Sequence, residues 1–284
     1  MPSLDDLKKR ISSVKSTQKI TKAMKMVAAA KMRKAQERME QARPYTNRLV
    51  NVIHHLLPDV NRTLLPLLDI RTIQRVGYVV VTSDRGLAGS FNTNVVKKAE
   101  LEINDIGKDN VDLFCIGKKA RDYFTRRNYN IVQSHIEFWN DLEFTHAIKM
   151  GEKIIDHFVT KKVDEIHVCY NEFVNVATQT IQSEQLLPLE YNQEESSSIS
   201  DRLYEPSKEK LTKSLIPRHL NVQMWKYLLE SYASEQAARM VAMENATDNA
   251  EDMIKNLTLE FNKARQASIT KEMLEIVGGA EALK

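Results

Sequence analysis

The sequence contains few cysteines and no long apolar run. Its only two cysteines, Cys115 and Cys169, are widely separated and form no C-x-x-C motif, so we expect small buried thiols in a reduced compartment rather than a disulfide framework. No stretch approaches the roughly 20 apolar residues of a membrane-spanning helix, so any membrane role should be peripheral. No secretory leader or acid-poor import presequence precedes Asp5 and Asp6, which favours a bacterial chain or a mature form.

Glycine and proline are absent from two long segments. Neither residue occurs between Ser3 and Arg43 or between Pro217 and Gly278, and both segments are rich in good helix formers. The second segment alone would span about 90 Å as one helix, at about 1.5 Å per residue. Such helices are unusual in a globular domain. We predict that the two pair antiparallel and project from a compact middle region, and the start of the second helix relative to Pro217 stays open.

Heptad positions counted from Leu4 support this pairing. Twelve of the sixteen positions up to Leu56 are apolar, as in a coiled-coil seam. Most exceptions cluster in one stretch, where a second apolar stripe is rotated around the helix, so we predict that this stretch meets a second neighbour. The clustered exceptions are Gln18, Thr21 and Lys25, and the second stripe is Ile20, Met24 and Val27. Pro44 is expected to bend this helix and Pro58 to end it.

The middle of the chain alternates apolar runs with helical patterns. Apolar, β-branched runs at residues 76–82 and 111–116 are each followed by a helix-like stretch. This alternation predicts a small, mostly parallel sheet with helices packed on it. The predicted fold class is therefore α/β: a long antiparallel coiled coil of N- and C-terminal helices plus a central Rossmann-like, mostly parallel α/β domain. The predicted bounds are residues 1–57 for the first helix, 58–206 for the α/β domain and 207–284 for the last helix, with a surface loop at 192–201.

The segment SDRGLAGSFN, residues 83–92, follows the first predicted strand. Glycine-containing loops at this position of a doubly wound sheet can bind phosphate at a helix start. Gly86 and Gly89, however, fit neither G-x-G-x-x-G nor G-x-x-x-x-G-K-[ST]. We therefore favour a tight turn or protein-contact loop over a nucleotide site, with Asp84 and Arg85 as exposed charges available to a partner.

The sequence predicts no catalytic residue, no cofactor site and no metal site. The histidines are scattered, and the adjacent pair His54 and His55 has no Cys, Glu or His one helical turn further on. Ser83 and Cys115 have no evident base nearby in the sequence. These features give no support to an enzyme active site.

The N-terminal helix is strongly basic. Residues 7–36 contain ten basic and no acidic side chains, whereas residues 184–201 contain five acidic side chains and no Lys or Arg. A basic amphipathic helix of this kind suits an acidic membrane surface, a calmodulin-like groove or a partner helix. The formal net charge of +3 is too small to favour nucleic acid by itself.

Four segments together carry a family resemblance. They are KITKAMKMVAAAKMRKAQ at residues 19–36, SDRGLAGSFN at 83–92, SEQAARMVAM at 234–243 and KARQASITKEMLEIVGGAEA at 263–282. In this order they resemble the hallmark segments of the gamma subunits of F-type ATP synthases, and the last matches I-T-x-E-x-x-[DE]-x-x-x-G-A from Ile269 to Ala280. The resemblance covers essentially the whole chain.

This resemblance implies a rotary central stalk without catalytic residues or cofactor. The paired terminal helices would lie inside a ring of alternating alpha and beta subunits, and the sheet domain would sit on the c-subunit ring, with the epsilon subunit as a further partner. Ion flow would turn the c ring and this chain, which would drive ATP synthesis or hydrolysis at the beta sites. The implied location is peripheral, on the cytoplasmic face of the bacterial plasma (inner) membrane.

The resemblance also implies contact residues, carried over by motif position. Those near the beta-subunit lever and catch regions are Met24, Arg265, Gln266, Thr270 and Glu272. Those facing the c ring, from the segment RLYEPS, are Leu203, Tyr204 and Glu205.

Two alternatives from other classes are weighed against this interpretation. The basic helix could serve a peripheral membrane or nucleic-acid adaptor, which lipid flotation and salt-dependent DNA binding would reveal. A nucleotide-binding enzyme is the third hypothesis, and titration with ATP would test it.

Overall fold

The structure, a computed structural model, describes residues 3–57, 65–189, 205 and 207–281. The helices described are α1 (Leu4–Leu56), α2 (Phe91–Ile106), α3 (Lys118–Thr125), α4 (Phe144–Val159) and α5 (Lys208–Glu281). The strands described are β1 (Val76–Val81), β2 (Val111–Ile116), β3 (Ile131–His135), β4 (Glu165–Phe173) and β5 (Gln179–Leu187). The predicted α/β fold class, with long terminal helices and a mostly parallel sheet, is confirmed.

The chain divides into two compact units. The helical unit comprises Met1–Ala28 and Met240–Lys284, and the sheet unit comprises Ala29–Arg239. Each long helix therefore contributes residues to both units. The predicted bounds at residues 57 and 206 stay a prediction, since 58–64 and 206 lie outside the described residues, as does the predicted loop at 192–201.

In the helical unit, the start of α1 pairs antiparallel with α5. The α1 helix begins with a capping box. The Ser3 hydroxyl accepts a hydrogen bond from the Asp6 amide at 3.1 Å, and the Asp6 carboxylate accepts one from the Ser3 amide at 3.3 Å. Further along, the hydroxyls of Thr21 and Thr247 are 2.7 Å apart, and Lys25 Nζ lies 2.5 Å from Glu244 Oε1. The buried positions of this unit are Leu7, Thr21, Ala28, Met243, Ala250 and Leu257.

The heptad seam therefore continues through the stretch where its apolar character is lost. Thr21 is buried and meets a hydroxyl on α5, whereas Ile20 and Val27 of the second stripe are exposed. Paired hydroxyls satisfy each other's hydrogen bonds, so a polar residue can occupy a seam position at little cost. Contact of the exposed stripe with a second neighbour stays a prediction.

In the sheet unit, five strands form one sheet in the order β3-β2-β1-β4-β5. The β1, β2, β3 and β4 strands are parallel where they pair, and β5 joins the edge antiparallel to β4. Every residue of β1 and β2 is buried. Strands with helices on both faces have no solvent-facing side, which explains why the sequences of both are almost entirely apolar, with Asp112 as the charged exception.

Helices cover both faces of this sheet. Side chains of α2 and α3, including Val95, Ile103 and Phe124, pack on the face that Tyr78 and Val80 present. On the other face, side chains of α1, α4 and α5 share one core with the sheet, and they include Ile53, Met150, Ile154, Ile216, Leu220 and Leu228. Residues 29–56 and 208–239 of the two long helices thus belong to the sheet unit and contribute side chains to its core.

Three helix-breaking residues lie inside α5. The helix begins at Lys208 and continues through Pro217, and it also continues through Gly278 and Gly279. Pro217 removes one backbone hydrogen bond at a cost of about 3 kcal/mol in an isolated helix. Its neighbours Ile216 and Leu220 are both 1% exposed, and burial of each side chain contributes about 1.5–3 kcal/mol. Tertiary packing therefore holds the helix through the proline.

Gly117 fixes how α3 begins. Its φ is 95°, a conformation that favours glycine, and its amide donates to the His135 carbonyl at 2.8 Å. A Cβ at this position would lie 2.1 Å from the Thr82 carbonyl oxygen, directly after β1. The first turn of α3 thus packs tightly on the end of the central strand.

We expect Gly117→Ala to lower the free energy of unfolding by about 3 kcal/mol, because the added methyl meets backbone and the positive φ is strained. Urea denaturation followed by circular dichroism measures this change. Gly86→Ala is the matched control: a Cβ there meets nothing within 4 Å, so its effect should stay below about 0.5 kcal/mol. Equal stability of the two variants would contradict the tight contact at Gly117.

Candidate functional site

Asp84 organises the loop that follows β1. Its Oδ1 accepts from the Lys118 amide and its Oδ2 accepts from the Glu137 amide, both at 2.7 Å. The side chain is half-buried, so Asp84 is less free than the exposed charge that the sequence predicted. Both carboxylate oxygens join the loop to the turns that follow β2 and β3.

The backbone amides at the start of α3 are already occupied. The amide of Lys118 donates to Asp84, that of Lys119 to the Ser83 carbonyl at 3.1 Å, and that of Ala120 to the Thr82 hydroxyl at 2.9 Å. These amides belong to α3, which follows β2, so Asp84, Ser83 and Thr82 join the end of β1 to the start of the neighbouring helix. The turn or protein-contact role of the loop stays a prediction.

The rest of the loop projects outward. Arg85 and Leu87 are exposed, and Leu87 adopts a positive φ of 62°. The Ser83 hydroxyl donates to the Arg85 carbonyl at 2.7 Å, and the Asn92 carboxamide oxygen accepts from the Ser83 amide at 2.9 Å. Internal hydrogen bonds thus hold the loop in one shape while its tip faces solvent.

A buried ion pair on α5 supports the same loop. Glu235 and Arg239 lie one helical turn apart with 2.6 Å between Oε1 and Nη1, and Arg239 Nη2 donates to the Gly86 carbonyl at 3.1 Å. Burial raises the pKa of the Glu235 carboxyl, and the Arg239 guanidinium opposes this shift. This ion pair was not predicted from the sequence. Its signal was an i, i+4 Glu–Arg pair among alanines in SEQAARMVAM.

The C-terminal part of α5 presents exposed apolar side chains. From the register of Thr21 with Thr247, Leu4 of α1 lies near residue 264, so α5 extends beyond the start of its partner helix by roughly 25 Å. Apolar side chains in this extension have between 47% and 71% of their surface exposed. They are Ile269, Met273, Leu274, Ile276 and Val277.

The residues predicted to contact a partner lie along the same extension. Arg265, Gln266, Thr270 and Glu272 are all exposed. The Thr270 hydroxyl donates to the Gln266 carbonyl at 2.9 Å, and the Glu272 carboxylate accepts from the Ser268 hydroxyl at 3.3 Å. These bonds are local to the helix, so the Arg265 and Gln266 side chains stay available to another molecule.

Met24 does not join this group. It is half-buried on α1, one position before Lys25, whose partner on α5 is Glu244. The distance along α5 from Glu244 to Arg265 is about 30 Å at about 1.5 Å per residue. The helical unit thus has two separate predicted contact regions. A partner role for any of these residues stays a prediction.

The predicted c-ring contacts fall largely outside the described residues. Leu203 and Tyr204 lie outside them, and Glu205 is described as an exposed residue. Among the described residues, no group of His, Cys, Asp or Glu side chains is arranged to hold a metal ion. In the same part of the chain, no helix is both apolar enough and long enough to cross a membrane.

Comparison with known proteins decides the family. A family profile described as ATP synthase matches residues 3–283. The ATP synthase gamma chain of Heliobacterium modesticaldum is 46% identical over 291 residues, covering 100% of both chains. That of Chloroherpeton thalassium is 44% identical, covering 100% of this chain and 99% of the relative. The chain belongs to the ATP synthase gamma chain family. The resemblance carried by the four sequence segments is therefore confirmed.

Solved structures support the same fold. A chain of the Euglena gracilis mitochondrial ATP synthase, OSCP/F1/c-ring, in rotational state 3, aligns with a TM-score of 0.70 and 22% identity, covering 99% of this chain and 94% of that chain. A chain of the Tetrahymena thermophila mitochondrial ATP synthase central stalk/c-ring aligns with a TM-score of 0.64 and 25% identity, covering 80% and 99%. The gamma chain fold thus extends over the described residues.

We expect Asp84→Asn to lower the free energy of unfolding by about 1–3 kcal/mol, because an amide cannot accept from two backbone N–H groups as a carboxylate does. Chemical denaturation of the full chain measures this. Arg85→Gln, at the neighbouring exposed position, should change stability by less than about 0.5 kcal/mol. If Asp84→Asn were equally neutral, the carboxylate would not organise the loop.

Proposed function

We propose that this chain is the rotating central-stalk subunit of an F-type ATP synthase. Membership of the gamma chain family carries this proposal. The geometry supports it, since α5 extends past α1 with apolar side chains that no described part of the chain covers. Exposed apolar surface of this extent usually marks a contact with another protein. A surrounding ring of subunits would provide that cover.

The chain acts mechanically and leaves catalysis to other subunits. Among the described residues, His157 pairs with Asp112 and His167 with Glu165, both at 2.8 Å, and the first pair is the more deeply buried. Asp112 also accepts from Asn130 at 2.7 Å and forms an ion pair with Arg75. Burial alone would raise the pKa of Asp112, but hydrogen bonds from His157 and Arg75 outweigh it and lower the pKa. A saturated, buried carboxylate holds strands and helices together rather than activating a nucleophile.

The proposed partners follow the two units. The alpha and beta subunits surround the helical unit, where Met24 lies near the beta levers and the Arg265–Glu272 segment lies near the beta catch loops. Asp84 and Arg85 mark a loop contact, in which Arg85 makes the direct interaction because Asp84 is engaged within the chain. Leu203, Tyr204 and Glu205 meet the c ring, and the epsilon subunit is a further partner. The proposed domain bounds are residues 57 and 206.

The solved structures that this chain resembles belong to the central stalk, F1 and c ring of ATP synthases, which supports alpha, beta and c-ring subunits as partners. We place the chain at the cytoplasmic face of the bacterial plasma membrane, held there through the c ring. Ion flow turns the ring together with this chain. The asymmetry of the helical unit then changes nucleotide affinity at the three beta sites in turn.

Reconstitution tests the proposal. The full chain, expressed with alpha and beta subunits of one relative, should co-purify with them and support ATP hydrolysis well above that of alpha and beta alone. Attachment of a bead to the chain should reveal stepwise rotation during hydrolysis. A chain that neither co-purifies with alpha and beta nor raises their turnover would rule the proposal out.

The contact residues on α5 are tested in the same complex. Replacing Arg265 and Gln266 together by Ala should lower ATP turnover by about tenfold, since losing two polar contacts removes about 1.4 kcal/mol. Helical circular dichroism of the isolated chain should not change, because both side chains are exposed.

The matched control replaces Lys255 and Asn256 by Ala on the same helix. These residues are also an exposed cation and an exposed amide, but they lie outside the proposed contact segment. Turnover should stay within about twofold of the unaltered complex. An equal loss of ATP turnover in both double variants would show that Arg265 and Gln266 do not form the proposed contact.

A further inference from the structure

The sheet unit contains a groove that the proposed rotary function does not use. Its volume is about 490 Å³, and it lies between α1, α5 and the segment that follows β4. Grooves of this size can hold small organic molecules, because binding pockets for such ligands usually have volumes of about 300–1,000 Å³. The apolar lining comes chiefly from Met39, Phe173, Val174, Val222, Trp225 and Leu229.

Trp225 gives the groove an aromatic wall. The indole is half-buried, and it meets Phe144 in an edge-to-face contact with ring centroids 5.9 Å apart. Phe173 lies across the same groove. Aromatic rings favour flat apolar groups and also attract cations placed over their faces.

Glu230 is a carboxylate of the groove lining that lacks a close partner. Its side chain is only 14% exposed, and the cation within ion-pair range is Lys226 Nζ at 4.0 Å from Oε1. Among the described residues, no hydrogen-bond donor reaches the buried Oε2 atom. A buried carboxylate oxygen without a donor is costly, so the chain itself stabilises the ionised Glu230 poorly.

Two other carboxylates near Glu230 are already satisfied. Glu184 on β5 accepts from the hydroxyls of Tyr170 at 2.7 Å and Tyr227 at 3.0 Å. Glu172 on β4 accepts from the Gln182 carboxamide at 2.7 Å. These groups add negative charge around Glu230 without competing for a new donor.

The charges facing Glu230 favour a cation. From β4 and β5 come the carboxylates of Glu172 and Glu184, and from α5 and α1 come the cations of Lys226 and Arg43. With Glu230 itself, three carboxylates therefore act at this point against two cations. Glu40 of α1 also lines the groove.

We propose that this groove binds small organic ammonium compounds, with the ammonium group paired to Glu230 and an aromatic or branched apolar body lying against Trp225 and Phe173. The ammonium group supplies a cation to the loosely paired Glu230 carboxylate, and the body of the ligand covers the apolar lining. The site is separate from both contact regions of the helical unit and from the loop that contains Asp84.

Binding should strengthen as pH rises through neutrality. Burial, together with the charges of Glu172 and Glu184, raises the pKa of Glu230 to about 7, while Lys226 and Arg43 oppose the shift. Burial also raises the pKa values of Tyr170 and Tyr227, so both phenols stay neutral in this range. Only the ionised carboxylate pairs with an ammonium group. The affinity should therefore rise about tenfold from pH 6 to pH 8, where an aliphatic amine stays protonated.

Three probes with one phenyl body test the proposal: 2-phenylethylamine, 2-phenylethanol and 3-phenylpropionate. Calorimetric titration of the full chain at pH 8 should give a saturable isotherm for the amine and affinities at least about tenfold weaker for the alcohol and the acid. In a Trp139→Phe background, Trp225 is the remaining tryptophan. Its fluorescence emission should change as the amine is added, with the same midpoint as the calorimetric titration.

Variants locate the ammonium group. Glu230→Gln keeps the shape of the side chain and should weaken amine binding by at least about tenfold while removing its pH dependence. Lys226→Gln removes the competing cation and should tighten binding severalfold. This variant tests the proposal even if Glu230→Gln does not fold. Glu37→Gln, an exposed α1 carboxylate away from the groove lining, should have no effect.

Three results would overturn the proposal. The first is equal affinity for the amine and the alcohol. The second is amine binding that is unchanged in both Glu230→Gln and Lys226→Gln. The third is the absence of any saturable binding of the amine at pH 8.

Discussion

The structure depends on the burial of both faces of the central sheet. The β1 and β2 strands have no exposed side chain, so each face needs a helical cover. On one face this cover includes residues of α1 and α5, whose side chains share a core with those of α4 and the sheet. The two long helices are therefore held by the hydrophobic core of the α/β domain, and not only by the seam between them. Turning the domain must carry the adjoining helix residues with it.

The loop after β1 is held by hydrogen bonds to the start of a helix that follows a different strand. The Asp84 carboxylate accepts from the amide of Lys118, and the Ser83 carbonyl and Thr82 hydroxyl accept from the next two amides. These amides open α3, which follows β2, so the bonds fix the loop against the neighbouring strand–helix connection. Rigidity at an exposed tip suits a protein that must transmit force through contact.

Buried polar groups in the sheet unit differ in how well they are paired. Asp112 and Glu184 each receive hydrogen bonds from more than one side chain, which makes them structural. Glu230 receives none at its buried oxygen within the described residues. A polar group that is buried and only loosely paired is expensive for folding alone, and such groups often mark places where a fold meets another molecule.

The sequence by itself determined the two long helices, the buried strands β1 and β2, and the family. Heptad spacing, apolar runs and helix-forming composition are local signals, because each depends on residues within a few turns of one another. Only the tertiary structure decided that Thr21 and Lys25 stay in the seam opposite Thr247 and Glu244, and that α5 continues through Pro217. The same holds for the bonds from Asp84 to the turns after two other strands and for the groove at Glu230. These features depend on pairs of residues far apart in the chain, whose contacts arise from packing free energy that no local pattern encodes.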